Sequence, residues 1–179
     1  KKGLEILRGN DFDKSAELAD DSKEQFVFVC GYGRVGKMVC DMLDKRLIKY
    51  IAIDNSPAKT IEARSQGLPV YFGDVNRPEI LRYFGADKAD YCVITVDDAS
   101  ATNSAILSIR KEYPSLPILT RAESKKQARR LEELFSNLQA LCPMLPEESS
   151  LLTIPFGGRV LSNLGVSRSE VDAILDEYR

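Results

Sequence analysis

Short, wholly apolar runs alternate with amphipathic stretches along most of the chain. The run Phe26–Cys30 is apolar at every position, which is the pattern of a strand covered on both faces of a sheet. Further along, apolar side chains recur at helical spacing from Val35 to Leu43, with Lys37 and Asp41 on the opposite face. This change of period predicts repeated βα units.

The same pattern gives boundaries for the remaining elements. Further strands are predicted at Tyr50–Ile53, Leu68–Phe72, Tyr91–Val96 and Ile118–Thr120, with a short sixth near Ala140–Cys142. The predicted helices between them run from Pro57 to Gln66, from Pro78 to Phe84, from the capping residues Asp97 and Asp98 to Arg110, and from Ser124 to Phe135. Proline suits the first turn of a helix and glycine the position after its last turn, which supports the ends at Pro57 and Gly67.

Three glycines follow the first strand directly. Gly31, Gly33 and Gly36 form the pattern G-x-G-x-x-G where the strand gives way to the helix. In such a turn the first glycine permits a sharp change of direction, the second lets the backbone approach a phosphate, and the third lets the helix pack closely on the strand. The free N–H groups at the helix N-terminus then attract the phosphate. The pattern predicts a nucleotide site, and the alternative is a tight structural turn.

An acidic residue ends the second strand. Asp54 lies 18 residues beyond Gly36, where dinucleotide-binding folds place the carboxylate that accepts from a ribose 2′-OH. A carboxylate there would repel a 2′-phosphate, so it favours an adenine nucleotide or NAD(H) over NADP(H). The alternative is that Asp54 only caps the helix that begins at Pro57.

Charged residues extend the predicted site. Arg34 stands inside the glycine loop and favours a ligand with more phosphate charge, such as ADP or ATP, the alternative being a solvated side chain. Arg121 and Glu123 end the fifth strand, where they could reach a phosphate or a metal ion, or pair with each other. The predicted nucleotide-binding residues are Gly31, Tyr32, Gly33, Arg34, Val35, Gly36, Asp54, Asn55, Gly73, Asp74, Val75, Thr95, Val96, Asp97 and Arg121.

Six strands with helical crossovers predict an α/β fold. We expect a doubly wound parallel six-stranded sheet of the Rossmann-like type in the order 3-2-1-4-5-6, with ligand at the carboxyl ends of strands 1 and 4. Beyond Pro146 the predicted structure is helical, with an interruption near Pro155 and a final helix from Arg168 to Tyr178 capped by Ser167.

The pattern divides the chain into three parts. Residues 1–25 are predicted to be a linker that is ordered in part at most, and residues 26–145 a nucleotide-binding domain. Residues 146–179 are predicted to form a helical C-terminal extension that packs across the domain or onto a second copy.

Composition excludes several classes of function. The formal net charge of −2 gives no electrostatic case for binding nucleic acid, and no apolar run approaches the length of a membrane helix. The chain has no histidine, which excludes a Ser-His-Asp hydrolase, a histidine-dependent dehydrogenase and a histidine-ligated metal within these residues. Its four cysteines form no C-x-x-C pair and fit a reducing compartment. Because it begins at Lys1 without a methionine, we expect a piece of a longer protein.

The sequence contains the pattern of a nucleotide-binding domain, but it lacks the substrate domain and the acid–base residues of a dehydrogenase. About 30 residues follow Pro146, too few for a substrate domain, and no Tyr-x-x-x-Lys pair follows the fifth strand. We therefore expect a sensor of nucleotide and no enzyme. The alternatives are a small NAD-dependent oxidoreductase with its substrate site at a dimer interface, and a CoA- or nucleotide-responsive transcription regulator.

Several segments together resemble the RCK/KTN regulatory domain of potassium channels and transporters. They are VCGYGRVG, AIDNSP, VYFGDVNRPEILRYFGADKAD, VITVDD and ILTRAES, and the resemblance spans about residues 25–145. The segments PEESSL and LGVSRSEVDAILDEYR are most similar to the tails of Kef and KEA potassium–proton antiporters, nearer the plant chloroplast KEA branch.

The resemblance implies a Rossmann domain joined to an antiporter membrane domain, working as a homodimer whose rearrangement controls transport. It implies the stroma-facing side of a chloroplast thylakoid or envelope membrane, or else the cytoplasmic face of a bacterial inner membrane. It also implies binding of AMP, ADP or ATP, with NAD(H) as second choice, at the matching positions Gly31, Gly33, Arg34, Val35, Gly36, Asp54, Asp74 and Arg121.

Two departures limit the resemblance. The helix ESKKQARRLEEL lacks the histidine that family members often carry, and LFSNLQA replaces the usual A-G-A turn. We therefore do not extend the resemblance to a bacterial-style glutathione site.

Overall fold

A computed structural model describes residues 25–142 and 153–178. It confirms the expected α/β fold, a six-stranded all-parallel sheet in the order β3-β2-β1-β4-β5-β6. The strands are β1 Phe26–Cys30, β2 Lys49–Asp54, β3 Val70–Phe72, β4 Tyr91–Ile94, β5 Ile118–Arg121 and β6 Leu138–Leu141. The helices are α1 Arg34–Lys45, α2 Pro57–Ser65, α3 Pro78–Tyr83, α4 Ala99–Glu112, α5 Lys125–Leu134, α6 Thr153–Asn163 and α7 Arg168–Asp176, with a 3₁₀ turn at Ala86–Lys88.

Strand β1 lies inside the sheet, between β2 and β4. All of its residues are buried, because helices cover both faces of the sheet there. Its last residue, Cys30, pairs with Ile53 of β2 and with Ile94 of β4. The carboxyl ends of these three strands therefore lie level at one edge, where the loops that follow them meet.

The two faces of the sheet are covered in different ways. Helices α3, α4 and α5 pack on one face, which we call the α4 face. Helices α1 and α2 pack on the other, the α1 face, and they are joined there by α6 and α7 from the C-terminal part of the chain. Buried side chains of α6, among them Phe156 and Leu161, share one apolar cluster with Val29 of β1 and Leu119 of β5. The crossover helices thus leave part of the α1 face to the C-terminal helices.

Three strand ends differ from the sequence prediction by two residues, and the remaining strand ends differ by one residue at most. Strand β3 begins at Val70 and not at Leu68, because the Leu68 N–H donates to Ala63 O at the end of α2 and Pro69 has no N–H. Strand β4 ends at Ile94 and not at Val96. Strand β6, predicted near residues 140–142, is Leu138–Leu141, an edge strand whose alternating burial made its apolar signal weak.

The predicted interruption near Pro155 is wrong. Pro155 lies in the first turn of α6, where its missing N–H has no helical partner to lose, so the helix continues through it. Ser167 caps α7 as predicted, in a capping box with Glu170, but the helix ends at Asp176 and not at Tyr178. Of the two packing modes predicted for the tail, packing across the same domain is observed. The predicted linker, except Gln25, and the PEESSL segment lie outside the described residues.

The third glycine of the loop brings α1 against β1. A Cβ built on Gly36 would lie 2.2 Å from Gly31 O and 2.9 Å from Thr95 Oγ1. We expect Gly36→Ala to lower the free energy of unfolding by about 1–3 kcal/mol or more, because backbone atoms would have to move. Urea denaturation measures this loss. Gly33→Ala is the matched control, since its Cβ would meet only Asp97 Oδ2 at 3.9 Å, and equal losses in the two variants would contradict the packing argument.

The C-terminal helices complete the core of the domain and do not form an appendage. Leu161 is fully buried on the α1 face. We expect Leu161→Ala to cost about 2–5 kcal/mol and to leave a single cooperative unfolding transition. Ser162→Ala, at the exposed neighbouring position, should change stability by less than about 0.5 kcal/mol. If the variant instead shows two unfolding transitions, and the substitution shifts the midpoint of only one of them, the C-terminal helices unfold independently.

Candidate functional site

The glycine loop is held in place by the strands on either side of β1. The Gly31 N–H donates to Ile53 O at 2.8 Å, and Gly31 adopts φ +101°, a conformation that side chains disfavour. From the other side, Thr95 Oγ1 donates to Gly31 O at 2.9 Å. Thr95 is buried, and it is the first residue after the end of β4. Contacts with both neighbouring strands therefore hold the loop in place.

Asp54 joins the glycine loop to the turn after β2. Its Oδ2 accepts from the Tyr32 N–H at 2.7 Å, and its Oδ1 accepts from the Ser56 N–H at 2.8 Å. The N-cap of α2 is Ser56, so Asp54 supports the turn before the helix and is not itself the cap. Lys59 Nζ lies 3.8 Å from Oδ2 and balances part of the buried charge. Asp54 is 7% exposed, and it lines the cleft described next.

A cleft of about 160 Å³ opens at the carboxyl edge of the sheet. The N-terminus of α1 faces it through Gly33, the N-cap, which provides no side-chain cap. An open helix N-terminus offers N–H groups and a partial positive charge to an anion. The cleft is lined by Gly31, Gly33, Ile53, Asp54, Asn55, Lys59, Gly73, Asp74, Val75, Asn76, Thr95, Val96, Asp97 and Ala101.

Most of the residues predicted for the site line this cleft. They come from the glycine loop and from the segments after β2, β3 and β4: Gly31, Gly33, Asp54, Asn55, Gly73, Asp74, Val75, Thr95, Val96 and Asp97. Five predicted residues do not line it. Val35 and Gly36 are buried in the packing of α1, and Arg34 is exposed beside the loop. Tyr32 and Arg121 have specific contacts elsewhere.

Tyr32 is predicted by its place in the loop but packs into the core. Its side chain is 5% exposed in the cluster on the α1 face, and Lys37 Nζ lies 5.7 Å from the ring centroid. Burial, with a smaller effect of nearby Cys40, raises the pKa of Tyr32 to about 12. The phenol therefore stays protonated at neutral pH and contributes packing, while its backbone N–H binds Asp54.

Arg121 binds a carboxylate from the segment that follows the neighbouring strand, β4. Its Nη1 donates to Asp97 Oδ1 at 2.6 Å, so the predicted pairing with Glu123 is not observed. Glu123 instead accepts from the Ala99 N–H at 3.3 Å. The fractions of the side chains exposed are 21% for Arg121 and 75% for Asp97. The two residues lie at the ends of adjacent strands, which no spacing along the chain reveals.

Sequence reasoning missed two polar residues of the cleft. Lys59 lies in the first turn of α2, five positions after Asp54 and within reach of it. Asn76 follows Asp74 in a turn in which its N–H and its amide Nδ2 both donate to Asp74 Oδ1 at 2.9 Å. The D-x-N spacing in the sequence is a signal of such a turn and could have identified Asn76.

The described residues contain neither a metal-binding cluster nor a membrane-spanning helix. Within residues 25–142 and 153–178, no three potential ligands among cysteine, aspartate and glutamate come together to hold a metal ion. In the same residues, the helices are too short or too polar to cross a membrane.

The sequence matches the TrkA-N domain over residues 27–139. K(+) efflux antiporter 2, chloroplastic, of Arabidopsis thaliana is 29% identical over 163 residues, which are 91% of this chain and 13% of that protein. A glutathione-regulated potassium-efflux system protein of Haemophilus influenzae is 30% identical over 178 residues, or 99% of this chain and 27% of that protein. The chain thus spans about a quarter or less of these relatives, and their similar identities do not separate the plant branch from the bacterial one.

Solved structures share the fold. The Shewanella denitrificans Kef CTD in AMP bound form superposes with a TM-score of 0.58 at 24% identity, covering 86% of this chain and 90% of that one. The GsuK channel bound to NAD gives a TM-score of 0.57 at 22% identity, covering 81% of this chain and 24% of that one. The family match takes in the glycine loop, Asp54 and strands β2 to β5, and it extends over more than half of the sequence. The chain therefore belongs to the TrkA-N domain family.

Proposed function

We propose that this chain is the nucleotide-binding regulatory domain of a potassium–proton antiporter. The observation that carries the proposal is the cleft where the N-terminus of α1, held open at Gly33, faces the Asp54 carboxylate. Such a cleft has the two features that a nucleotide requires, a site for phosphate and an acceptor for ribose. The relatives are potassium efflux proteins of which this chain matches one part, which supports a domain joined to a membrane transporter.

An adenine nucleotide fits the chemistry of the cleft best. The phosphate would lie at the α1 N-terminus and the ribose hydroxyls at Asp54, so the base would lie toward the end of β3, bounded by Gly73 and Asp74. A volume of about 160 Å³ is smaller than typical ligand pockets, so part of the nucleotide would extend over the surface. Additional phosphates would be bound by Arg34, which is exposed beside the loop, and by Arg121, which would have to leave Asp97.

The choice of nucleotide is AMP, ADP or ATP first and NAD(H) second. The structural neighbours in complex with AMP and with NAD support both classes. The Asp54 carboxylate opposes NADP(H), because a 2′-phosphate would bring a second negative charge beside it. The rival proposal, an NAD-dependent oxidoreductase with its substrate site at a dimer interface, predicts that bound NADH is oxidised by a carbonyl substrate.

Control of transport would pass through a homodimer. A groove of about 500 Å³ with a mixed polar and apolar lining lies between α4 and α5 on the α4 face. Two of its lining residues, Leu107 and Leu134, are 57% and 62% exposed. Exposed large apolar side chains in one groove favour contact with another protein surface. A nucleotide can bias the transporter only by binding the two dimer arrangements with different affinity. We place the domain on the stroma-facing side of a chloroplast membrane, or on the cytoplasmic face of a bacterial inner membrane.

Calorimetry with AMP, ADP, ATP, NADH and NADPH tests the proposed function directly. We expect binding of the adenosine phosphates and NADH, and weaker binding of NADPH. Bound NADH should remain unoxidised in the presence of carbonyl substrates. If none of the five nucleotides binds, the proposal is wrong, and turnover of NADH would favour the oxidoreductase.

The role of Asp54 is tested by removing its charge while keeping its shape. We expect Asp54→Asn to weaken the binding of AMP by about 1–3 kcal/mol, which is the range for a hydrogen bond to a charged group. The variant should lose little affinity for 2′-deoxy-AMP, which lacks the hydroxyl that the carboxylate would bind. Thermal unfolding of the variant, followed in parallel, reports the loss of the contacts with Tyr32 and Ser56. Equal losses for the two nucleotides would mean that Asp54 only supports the loop.

A further inference from the structure

The carboxylate of Asp97 lies close to the N-cap residue of α1. Its Oδ2 lies 3.9 Å from the position that a Cβ would take on Gly33, the N-cap of that helix. Asp97 lines the cleft, and its side chain is 75% exposed. A negative charge near a helix N-terminus is favourable, which is also why a phosphate binds there. The carboxylate and a phosphate would therefore compete for the same region.

Asp97 also binds a cation that a phosphate would attract. Arg121 Nη1 donates to Asp97 Oδ1 at 2.6 Å, a short charge-assisted hydrogen bond. The Arg121 side chain is 21% exposed and belongs to the end of β5, one strand beyond β4. In this arrangement the carboxylate of Asp97 lies between the glycine loop and the guanidinium group.

We propose that the Asp97 carboxylate competes with the ligand's phosphate for the same position and for Arg121. The carboxylate lies beside Gly33 at the α1 N-terminus and accepts from Arg121. A phosphate bound at that N-terminus would displace the carboxylate and take over Arg121. Asp97 thus lowers affinity for phosphate-bearing ligands and sets the nucleotide concentration to which the domain responds. This inference rests on the proposed nucleotide site, and it assigns to Asp97 a role opposite to that of a binding residue.

Calorimetry with ADP and with adenosine tests the inference on wild type, Asp97→Asn and Asp172→Asn. Asp172 is exposed on α7, so its variant removes the same unit of charge away from the cleft. We expect Asp97→Asn to bind ADP roughly tenfold more tightly than wild type, because a nearby like charge is gone. Adenosine, which has no phosphate, should bind wild type and Asp97→Asn with equal affinity. The control Asp172→Asn should bind both ligands as wild type does. The gain should shrink at high salt.

The possible results separate this inference from the proposed function. If wild type binds ADP and Asp97→Asn binds it no more tightly, Asp97 does not compete with the phosphate. The proposed nucleotide site would be unaffected by that result. Weaker binding by Asp97→Asn, above all with Mg²⁺ present, would mean that Asp97 assists the phosphate through a cation, which also overturns the inference. If neither protein binds ADP, the proposed function fails, and this inference fails with it.

A double-mutant cycle tests the exchange of Arg121 between its two partners. In wild type, Arg121→Gln removes a guanidinium that Asp97 already holds. In the Asp97→Asn background the guanidinium is available to phosphate from the start. We therefore expect Arg121→Gln to cost several-fold more ADP affinity in that background. If Arg121→Gln lowers ADP affinity equally in the two backgrounds, Arg121 does not pass from Asp97 to the phosphate.

Discussion

The carboxylate of Asp54 connects two backbone segments, and the cleft depends on that connection. One oxygen accepts from the N–H of Tyr32 in the glycine loop and the other from the N–H of Ser56 before α2. Because parallel strands end level at β1 and β2, one side chain can reach both segments. A buried carboxylate is tolerated here since two backbone donors and Lys59 compensate its charge. The shape of the site is thus maintained by the same group that a ribose would contact.

The acidic residues of the cleft each have a partner within the fold. Asp74 accepts from the backbone and side chain of Asn76, and Asp97 is held by Arg121, as Asp54 is by backbone donors. Three carboxylates around the cleft would oppose the proposed binding of a phosphate if their charges were uncompensated. Their local partners reduce that opposition to different degrees. The effect of these carboxylates on a bound anion would therefore depend on how firmly each one is held by its partner, and not only on their number.

The sequence encodes the elements of this fold more clearly than their partners. Strand β1 and helix α1 could be predicted because their apolar spacing is regular, and the strand order followed from the βα alternation. Thr95 was expected within β4, yet its hydroxyl binds the carbonyl of Gly31, a contact between segments far apart in the chain. The pairing of Arg121 with Asp97 has the same origin. Residues adjacent in sequence, such as Tyr32 between two glycines, can also face opposite sides of a loop, which spacing alone does not resolve.

The position of α6 has a consequence for how fragments of this family behave. Gly157 and Gly158 let α6 fit between α1 and α7, since a Cβ would lie 2.3 Å from Met42 Sδ at the first and 2.9 Å from Leu175 Cδ1 at the second. The family match ends at residue 139, before this helix begins. A fragment cut at that boundary would expose the apolar strip that Phe156 and Leu161 cover. Such a fragment would tend to associate through the bare strip, so its stoichiometry would report a missing helix and not the native assembly.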